Sequence, residues 1–264
     1  MNVGNGPSTD PAPLLKAEGL SKAFGGVQAL YDVSFAVDAG SVQAVIGPNG
    51  AGKTTLFNLI TGIFPPDQGR ILFAGDPIEG MAVHRLVARG ITRTFQNVEL
   101  FANMSVLENV LVGQHVCLRT GLWGALGRWP RVRKEETEAL ARARELLKFV
   151  GLDDVARDRS GDLPFGWQRL VEIARALAAR PRLLLLDEPA AGLNPVETAS
   201  LGELLRRIRA QGITLLLVEH DMSLVMDISD SILVLNQGRK LAEGTPREIQ
   251  KSSAVTKAYL GGAG

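Results

Sequence analysis

Cysteine is nearly absent: Cys117 stands alone in 264 residues, so no intrachain disulfide can form and a disulfide-stapled scaffold is excluded. Cys117 reads as a small packing residue rather than a nucleophile, and a reducing compartment is expected. Histidine is scarce too, and His84, His115 and His220 lie too far apart to read as a ligand cluster, so zinc is not implied. Long apolar runs are missing. The longest, residues 183–186 and 213–218, fall far short of the roughly 18 residues a membrane helix requires, so the chain is not expected to cross a bilayer by itself. Charge of one sign is missing as well: 29 Lys and Arg against 28 Asp and Glu leave a formal +1, which offers no footprint for a polyanion, and no nucleic-acid partner is expected. No fixed-period repeat points to a solenoid. Residues 1–13, rich in Gly, Pro, Ser and Asn, have neither a basic start nor an apolar stretch, and read as a flexible tail rather than a secretion signal.

What is present suits a globular chain. A hydrophobic content of 45% with 22% charged residues lets a chain of this length bury a core without metal or disulfides. One α/β unit with a smaller appended subdomain is the expectation. Residues 41–46 form a short, mostly apolar run stopped by Gly47 and Pro48, and 54–63 has the length and composition of a helix. Runs 183–186 and 214–218 are apolar without alternation, as central parallel strands covered on both faces should be. Between them Asn194 caps a helix with Pro195 at its first position, and Leu201, Leu204, Leu205 and Ile208 share one face before Gly212 ends it. Residues 134–150 read as a charged helix with Leu140, Ala143, Leu147 and Val150 on one face, closed by Gly151; Leu170, Ile173, Ala174 and Leu177 mark another. The stretch 97–161 is therefore expected to be a helical insertion, extending through the next helix to about 180. Residues 232–235, the Gln237-Gly238 turn and 240–242 suggest a closing hairpin, followed by a polar C-terminal helix within 244–264.

Two motifs carry chemistry. Gly47-Pro48-Asn49-Gly50-Ala51-Gly52-Lys53-Thr54 fits G-x-x-x-x-G-K-[ST], followed by Thr55: its glycines let backbone N–H groups converge on phosphate oxygens. Lys53 would reach the outer phosphates, the helix dipole would face the same anion, and the Thr54 hydroxyl is placed to ligate Mg²⁺. The second motif ends the run 183–186 with Asp187 and Glu188, which strand alternation would point in different directions. Asp187 is assigned to Mg²⁺ through water and Glu188 to the attacking water as general base. His220 ends the next buried strand, where ligands bind in open α/β sheets, and is a candidate sensor of the terminal phosphate.

Taken in order, these segments resemble the ATP-binding-cassette (ABC) ATPases from about Leu14 to Gly261. The resemblance implies an α/β fold: a phosphate-loop core with a mostly parallel sheet, an N-terminal antiparallel β portion and an inserted helical subdomain. The core would comprise 14–96 and 181–243. It further implies that Gln96, in Arg93-Thr94-Phe95-Gln96-Asn97, touches Mg²⁺ and the attacking water, and that His220 is the switch histidine. Phe24 is the candidate aromatic for stacking on adenine, with core packing as the competing reading. Leu163-Pro164-Phe165-Gly166-Trp167 matches the family's signature L-S-G-G-Q, which caps the γ-phosphate held by an opposite subunit. Three of those five positions depart from the pattern, and Pro164 brings no hydroxyl.

Similarity is closest to the ATPases of bacterial importers for branched-chain amino acids, through 93–115, 190–195, 219–230 and the terminal Ala258-Tyr259-Leu260-Gly261. That branch implies ATP and Mg²⁺ as cofactors, a second ABC ATPase as heterodimer partner with unequal sites (a homodimer staying open for the isolated chain), membrane permease subunits and, indirectly, a solute-binding protein. It also implies a place on the cytoplasmic face of the bacterial inner membrane. Related ATPases serve amide and urea uptake, so those solutes stay open. A mechanical ATPase acting on DNA or ribosomes is disfavoured by the absence of sustained heptads and basic surfaces. A regulatory module that binds nucleotide without turnover is disfavoured by Glu188 and His220. Trp123 and the basic run 128–134 fit either a membrane-proximal surface or, in preference, a solvated face.

Overall fold

The structure is a computed structural model describing residues 12–94, 96, 98–115 and 130–260. Two sheets organise it. A four-stranded antiparallel sheet has the order β2-β1-β4-β5, from β1 (Leu15–Phe24), β2 (Val27–Val37), β4 (Gln68–Phe73) and β5 (Asp76–Pro77). A six-stranded sheet has the order β10-β9-β3-β8-β7-β6, built from β3 (Val42–Ile46), β6 (Ile91–Arg93), β7 (Leu183–Asp187), β8 (Thr214–Val218), β9 (Ser231–Asn236) and β10 (Arg239–Gly244). Its pairings are parallel except for the β9–β10 hairpin.

Every residue of β3, β7 and β8 is buried, which explains why these strands carry no apolar–polar alternation. Alternation survives as a division between two cores. Ile46, Leu184, Leu186, Leu215 and Leu217 face a core shared with the helices, whereas Val45, Leu183, Leu185, Leu216 and Val218 face one shared with the antiparallel sheet. Helix α1 (Lys53–Ile60) supplies Leu56, Phe57, Leu59 and Ile60 to that second core. It is shorter than the expected 54–63: Thr61 caps it and Gly62 turns away at φ +71°. Helix α2 (Val83–Ala88) precedes β6.

The helical region contains α3 (Val106–Gly113) and α4 (Pro130–Val150), with a 3-10 turn at Ser160–Asp162 leading into α5 (Phe165–Ala178), which packs on both. Ser105 and Glu108 form a capping box that starts α3. In α4 the buried face is Ala139, Ala143, Leu147 and Val150, with Leu140 half-buried beside it. Between β7 and β8 runs α6 (Pro195–Ala210), started by Asn194, whose side chain accepts from Val196 and Glu197 N–H, with Glu197 answering to the Asn194 N–H. Its buried residues include Leu201, Leu204, Leu205 and Ile208, as the periodicity required. After β8 comes α7 (Met222–Ile228). The expected single C-terminal helix is two, α8 (Pro246–Lys251) and α9 (Ser253–Leu260), because Ser252 between them is extended at φ −74°, ψ 113°.

Cys117, Trp123, Arg128 and Trp129 lie outside the described residues. Lys134, from the basic run, is exposed and 3.9 Å from Glu138, an ordinary i,i+4 pair on a solvated face. Among the described residues no helix is long and apolar enough to cross a membrane.

Candidate active site

The loop between β3 and α1 needs its glycines for space. A Cβ on Gly47 would stand 2.2 Å from the Leu235 carbonyl oxygen, and one on Gly52 would stand 2.6 Å from that of Ala29. Both also adopt positive φ, so only glycine fits. The β9–β10 turn pins this loop, the Gly238 N–H donating to the Ala51 carbonyl at 3.1 Å. Gly52 is the N-cap of α1 and brings no side-chain acceptor, so the first-turn N–H groups of α1 keep their anion-binding capacity. Asn49, Gly50 and Thr54 are exposed around the loop's mouth, Pro48 and Thr55 half-buried. Lys53 is buried, and its Nζ donates to the carbonyls of Gly47 and Pro48 at 2.7 and 3.1 Å. Burial pushes its pKa down, opposed by the charges of Glu188 and Asp187, which places both acids within electrostatic reach of the loop.

Asp187, the last residue of β7, is buried and ion-paired to Arg93 at 2.7 Å. The same guanidinium donates to Asn58 Oδ1 at 2.7 Å and Thr61 Oγ1 at 3.3 Å, tying the strand end to α1. Glu188 departs from the sequence reasoning in one respect. It is not directed by strand alternation: the strand has ended, and Glu188 turns off it at φ +47° while its N–H donates to the Val218 carbonyl at 2.9 Å. A left-handed conformation is unusual for a residue with a Cβ and collects at functional positions. The turn presents its carboxylate to two groups at once. Oε2 accepts from Gln96 Nε2 at 3.0 Å and Oε1 lies 2.9 Å from His220 Nε2, so residues separated by 92 and 32 positions converge on one carboxylate.

Three residues that the sequence reasoning passed over hold this arrangement. Arg93 grips Asp187. Arg169, in α5, donates to the backbone carbonyl of Gln96 at 2.8 Å and forms a fully buried pair with Glu172 at 2.9 Å. Glu219, buried, accepts from the backbone of Ala190, His220 and Asp221. Their neighbours in the chain were the only signal available: each adjoins or stands close to a residue already singled out.

The signature segment starts α5, with Leu163 buried and Pro164 as an N-cap that brings no side-chain hydrogen bond. Phe165 lies under Arg169 and against Gly192, where an added Cβ would be 3.0 Å from its ring; Gly166 fits against Glu197 in the same way at 2.9 Å. These contacts tie the segment to the 191–197 loop rather than to the chain's own phosphate loop. Phe165 and Trp167 remain 46% and 43% exposed and Val196 76%, an apolar surface at the start of α5 and α6. Phe24 sits at the end of β1, 41% exposed, its ring edge-on to Phe64 at 5.3 Å and beneath the Lys22 ammonium at 5.5 Å.

Among the described residues no group of three or more His, Cys, Asp or Glu could hold a metal ion. The donors at hand, Thr54 hydroxyl and Asp187 carboxylate, are hard oxygens. Few protein ligands, supplemented by phosphate and water, are what Mg²⁺ takes in nucleotide sites, so the residues present fit that ion.

The comparisons with known proteins agree with this geometry. The "ABC transporter" family model matches residues 30–191, and "Branched-chain amino acid ATP-binding cassette transporter" matches 239–264. The high-affinity branched-chain amino acid transport ATP-binding protein BraF of Pseudomonas aeruginosa is 48% identical over 95% of this chain and 99% of its own length. The corresponding protein LivG of Escherichia coli is 47% identical with the same coverage. The ADP conformation of an ATP-binding cassette of an ABC transporter superposes with a TM-score of 0.84 at 34% identity, covering 95% of this chain and all of that one. With a glycine-rich loop, an acidic strand end and a histidine against Glu188 in one site, and relatives matched over nearly their full length, the chain belongs to the ABC transporter family of ATP-binding cassette ATPases.

Proposed function

We propose that this chain is the ATP-hydrolysing subunit of an importer for branched-chain amino acids, working at the cytoplasmic face of a bacterial inner membrane. The observation that carries the catalytic reading is the Glu188 carboxylate held between Gln96 and His220 beside the phosphate loop. A carboxylate so fixed orients a water and takes its proton as it attacks the terminal phosphorus. Backbone N–H groups within residues 47–55, of which Pro48 has none, and the Lys53 ammonium hold the phosphates, and Phe24 lies against adenine. Thr54 and Asp187, with Gln96, would hold Mg²⁺, which when bound neutralises charge on the phosphate oxygens. His220 fixes Glu188 and reports the terminal phosphate.

The exposed Phe165, Trp167 and Val196 support a second ABC ATPase as partner, with residues 163–167 capping the nucleotide on that subunit. The apolar groove lined by Ile63, Val83, Leu86, Val112 and Arg175 is suited to a permease segment, and it lies against Arg93, the residue that grips Asp187. In this division 14–96 and 181–243 form the catalytic core, 97–161 and α5 the helical arm that carries the signature, and 244–264 a C-terminal appendage. A solute-binding protein would act through the permease. The substrate reading rests on the relatives' names and the C-terminal family match.

The test is reconstitution of the complex in proteoliposomes with its binding protein. Glu188→Gln is expected to keep nucleotide binding and lower ATPase and leucine uptake together by roughly 10²–10⁴-fold, the range of general-base catalysis. Unchanged turnover would reject the assigned base. Uptake of an amide or urea in place of leucine would leave the ATPase reading intact and move the solute.

A further inference from the structure

Glu219 is 3% exposed and sits between β8 and His220. Its two carboxylate oxygens are divided between two loops. Oε1 accepts from the Ala190 N–H at 2.6 Å, while Oε2 accepts from the N–H groups of His220 at 2.8 Å and Asp221 at 3.2 Å.

The first contact matters because of what lies before it. Glu188 has left β7 in a left-handed conformation and Pro189 has no N–H, so Ala190 is the next backbone donor after the Glu188 N–H itself. The Glu188 N–H is held by the Val218 carbonyl, and the Ala190 N–H by Glu219, one residue further along the same strand end. The strained turn that aims Glu188 is thus fastened on both sides to the end of β8. The second contact fastens the backbone of His220, whose Nε2 meets Glu188 Oε1. One buried carboxylate therefore ties together the two backbones whose side chains form the Glu188–His220 contact. Carboxylate acceptors make stronger bonds to N–H than neutral ones, and buried N–H groups left without a partner are costly, so the clasp holds both loops in register.

We propose that Glu219 is a positioning residue for ATP hydrolysis, setting the distance between Glu188 and His220 without touching nucleotide. This rests on the reading of Glu188 and His220 given above. Glu219→Gln keeps shape and volume but replaces one oxygen by an NH₂ that can only donate, setting donor against donor at one of the two loops. In the assembled transporter it is expected to lower kcat roughly 10- to 100-fold, the scale of a misplaced catalytic group, while KM for ATP stays within about twofold. In a His220→Ala background the same substitution should have little further effect on kcat, because the contact that it positions is already gone. Hydrogen–deuterium exchange should quicken in the peptide spanning residues 188–192.

Turnover within about twofold of the parent, or full multiplication of the two losses in the double variant, would overturn the proposal. If Glu219→Gln fails to assemble, Glu219→Asp replaces it: a carboxylate one methylene shorter should also lose turnover, and full activity there would equally overturn the clasp. Should His220→Ala and Glu188→Gln both retain turnover, the catalytic reading itself falls, an outcome separate from failure of Glu219→Gln alone.

Discussion

The buried pair between Arg169 and Glu172 offers a quantitative test of how the signature helix is held. Both side chains are 1% exposed and their charged atoms are 2.9 Å apart. Removing one partner of such a pair typically costs about 3–5 kcal/mol, because the survivor stays charged without water, whereas replacing both by apolar residues of similar volume is often neutral. The two halves differ here. After Arg169→Met, Glu172 still faces Arg175, whose pKa burial pushes down and Glu172 raises. A loss near the lower end, about 3 kcal/mol, follows. After Glu172→Leu, both Arg169 and Arg175 lose the charge of Glu172, so the loss should be the larger of the two, up to about 5 kcal/mol. For a chain of this size each kcal/mol lowers Tm by about 2–4 °C, giving drops of roughly 6–12 °C and 10–20 °C. The double variant should melt well above Glu172→Leu alone. Thermal unfolding of the four proteins decides it: single losses under about 2 °C, or additive losses in the double, would refute the reasoning. A second readout separates fold from function. The double variant, though stable, lacks the Arg169 bond to Gln96 and should still hydrolyse ATP more slowly than the parent.

Other predictions follow from single contacts. Gly47→Ala places a methyl 2.2 Å from the Leu235 carbonyl and should abolish ATP binding by calorimetry, whereas Gly50→Ala meets nothing within 4 Å and should cost only about 1–2 kcal/mol of left-handed strain; equal affinities would contradict this. Asn194→Ala removes the acceptor for Val196 and Glu197 N–H and should lower stability by about 0.5–2 kcal/mol, with an unchanged melting curve counting against the cap. Arg93→Ala leaves Asp187 buried without its ion pair, at about 3–5 kcal/mol, and added Mg²⁺ with nucleotide should recover more Tm in the variant than in the parent. If the partner ATPase carries a full signature, Glu188→Gln here and the equivalent change there should reduce turnover unequally; equal reductions would remove the asymmetry.

Much of this fold was legible because its strongest signals are local. Strands β7 and β8 carry the apolar runs 183–186 and 215–218, β3 is apolar but for Gln43, α6 shows its period over sixteen residues directly after its Asn194 cap, and the β9–β10 turn is written as Gln237-Gly238. The phosphate loop is local too, its glycines demanded by backbone approach within one turn. What stayed illegible depends on distance along the chain. Arg93 meets Asp187 across 94 residues, Arg169 meets Gln96 across 73, and Glu219 meets Ala190 across 29. A charged residue with no local partner reads as solvent-exposed, because burying it is costly until the fold supplies the counter-group. Glu188 and Glu219 make the point most directly. Each is an acid just past a buried apolar strand, β7 or β8, and nothing nearby in sequence separates their tasks. One side chain turns to Gln96 and His220, the arrangement proposed above to prepare a water for attack; the other turns to three backbone N–H groups, where its hydrogen-bonding capacity is spent on holding loops. The role open to an acid at a strand end therefore depends on whether the fold leaves its carboxylate accessible, as it does Glu188 with a side chain 21% exposed, or spends both oxygens on buried backbone amides, as it does for Glu219.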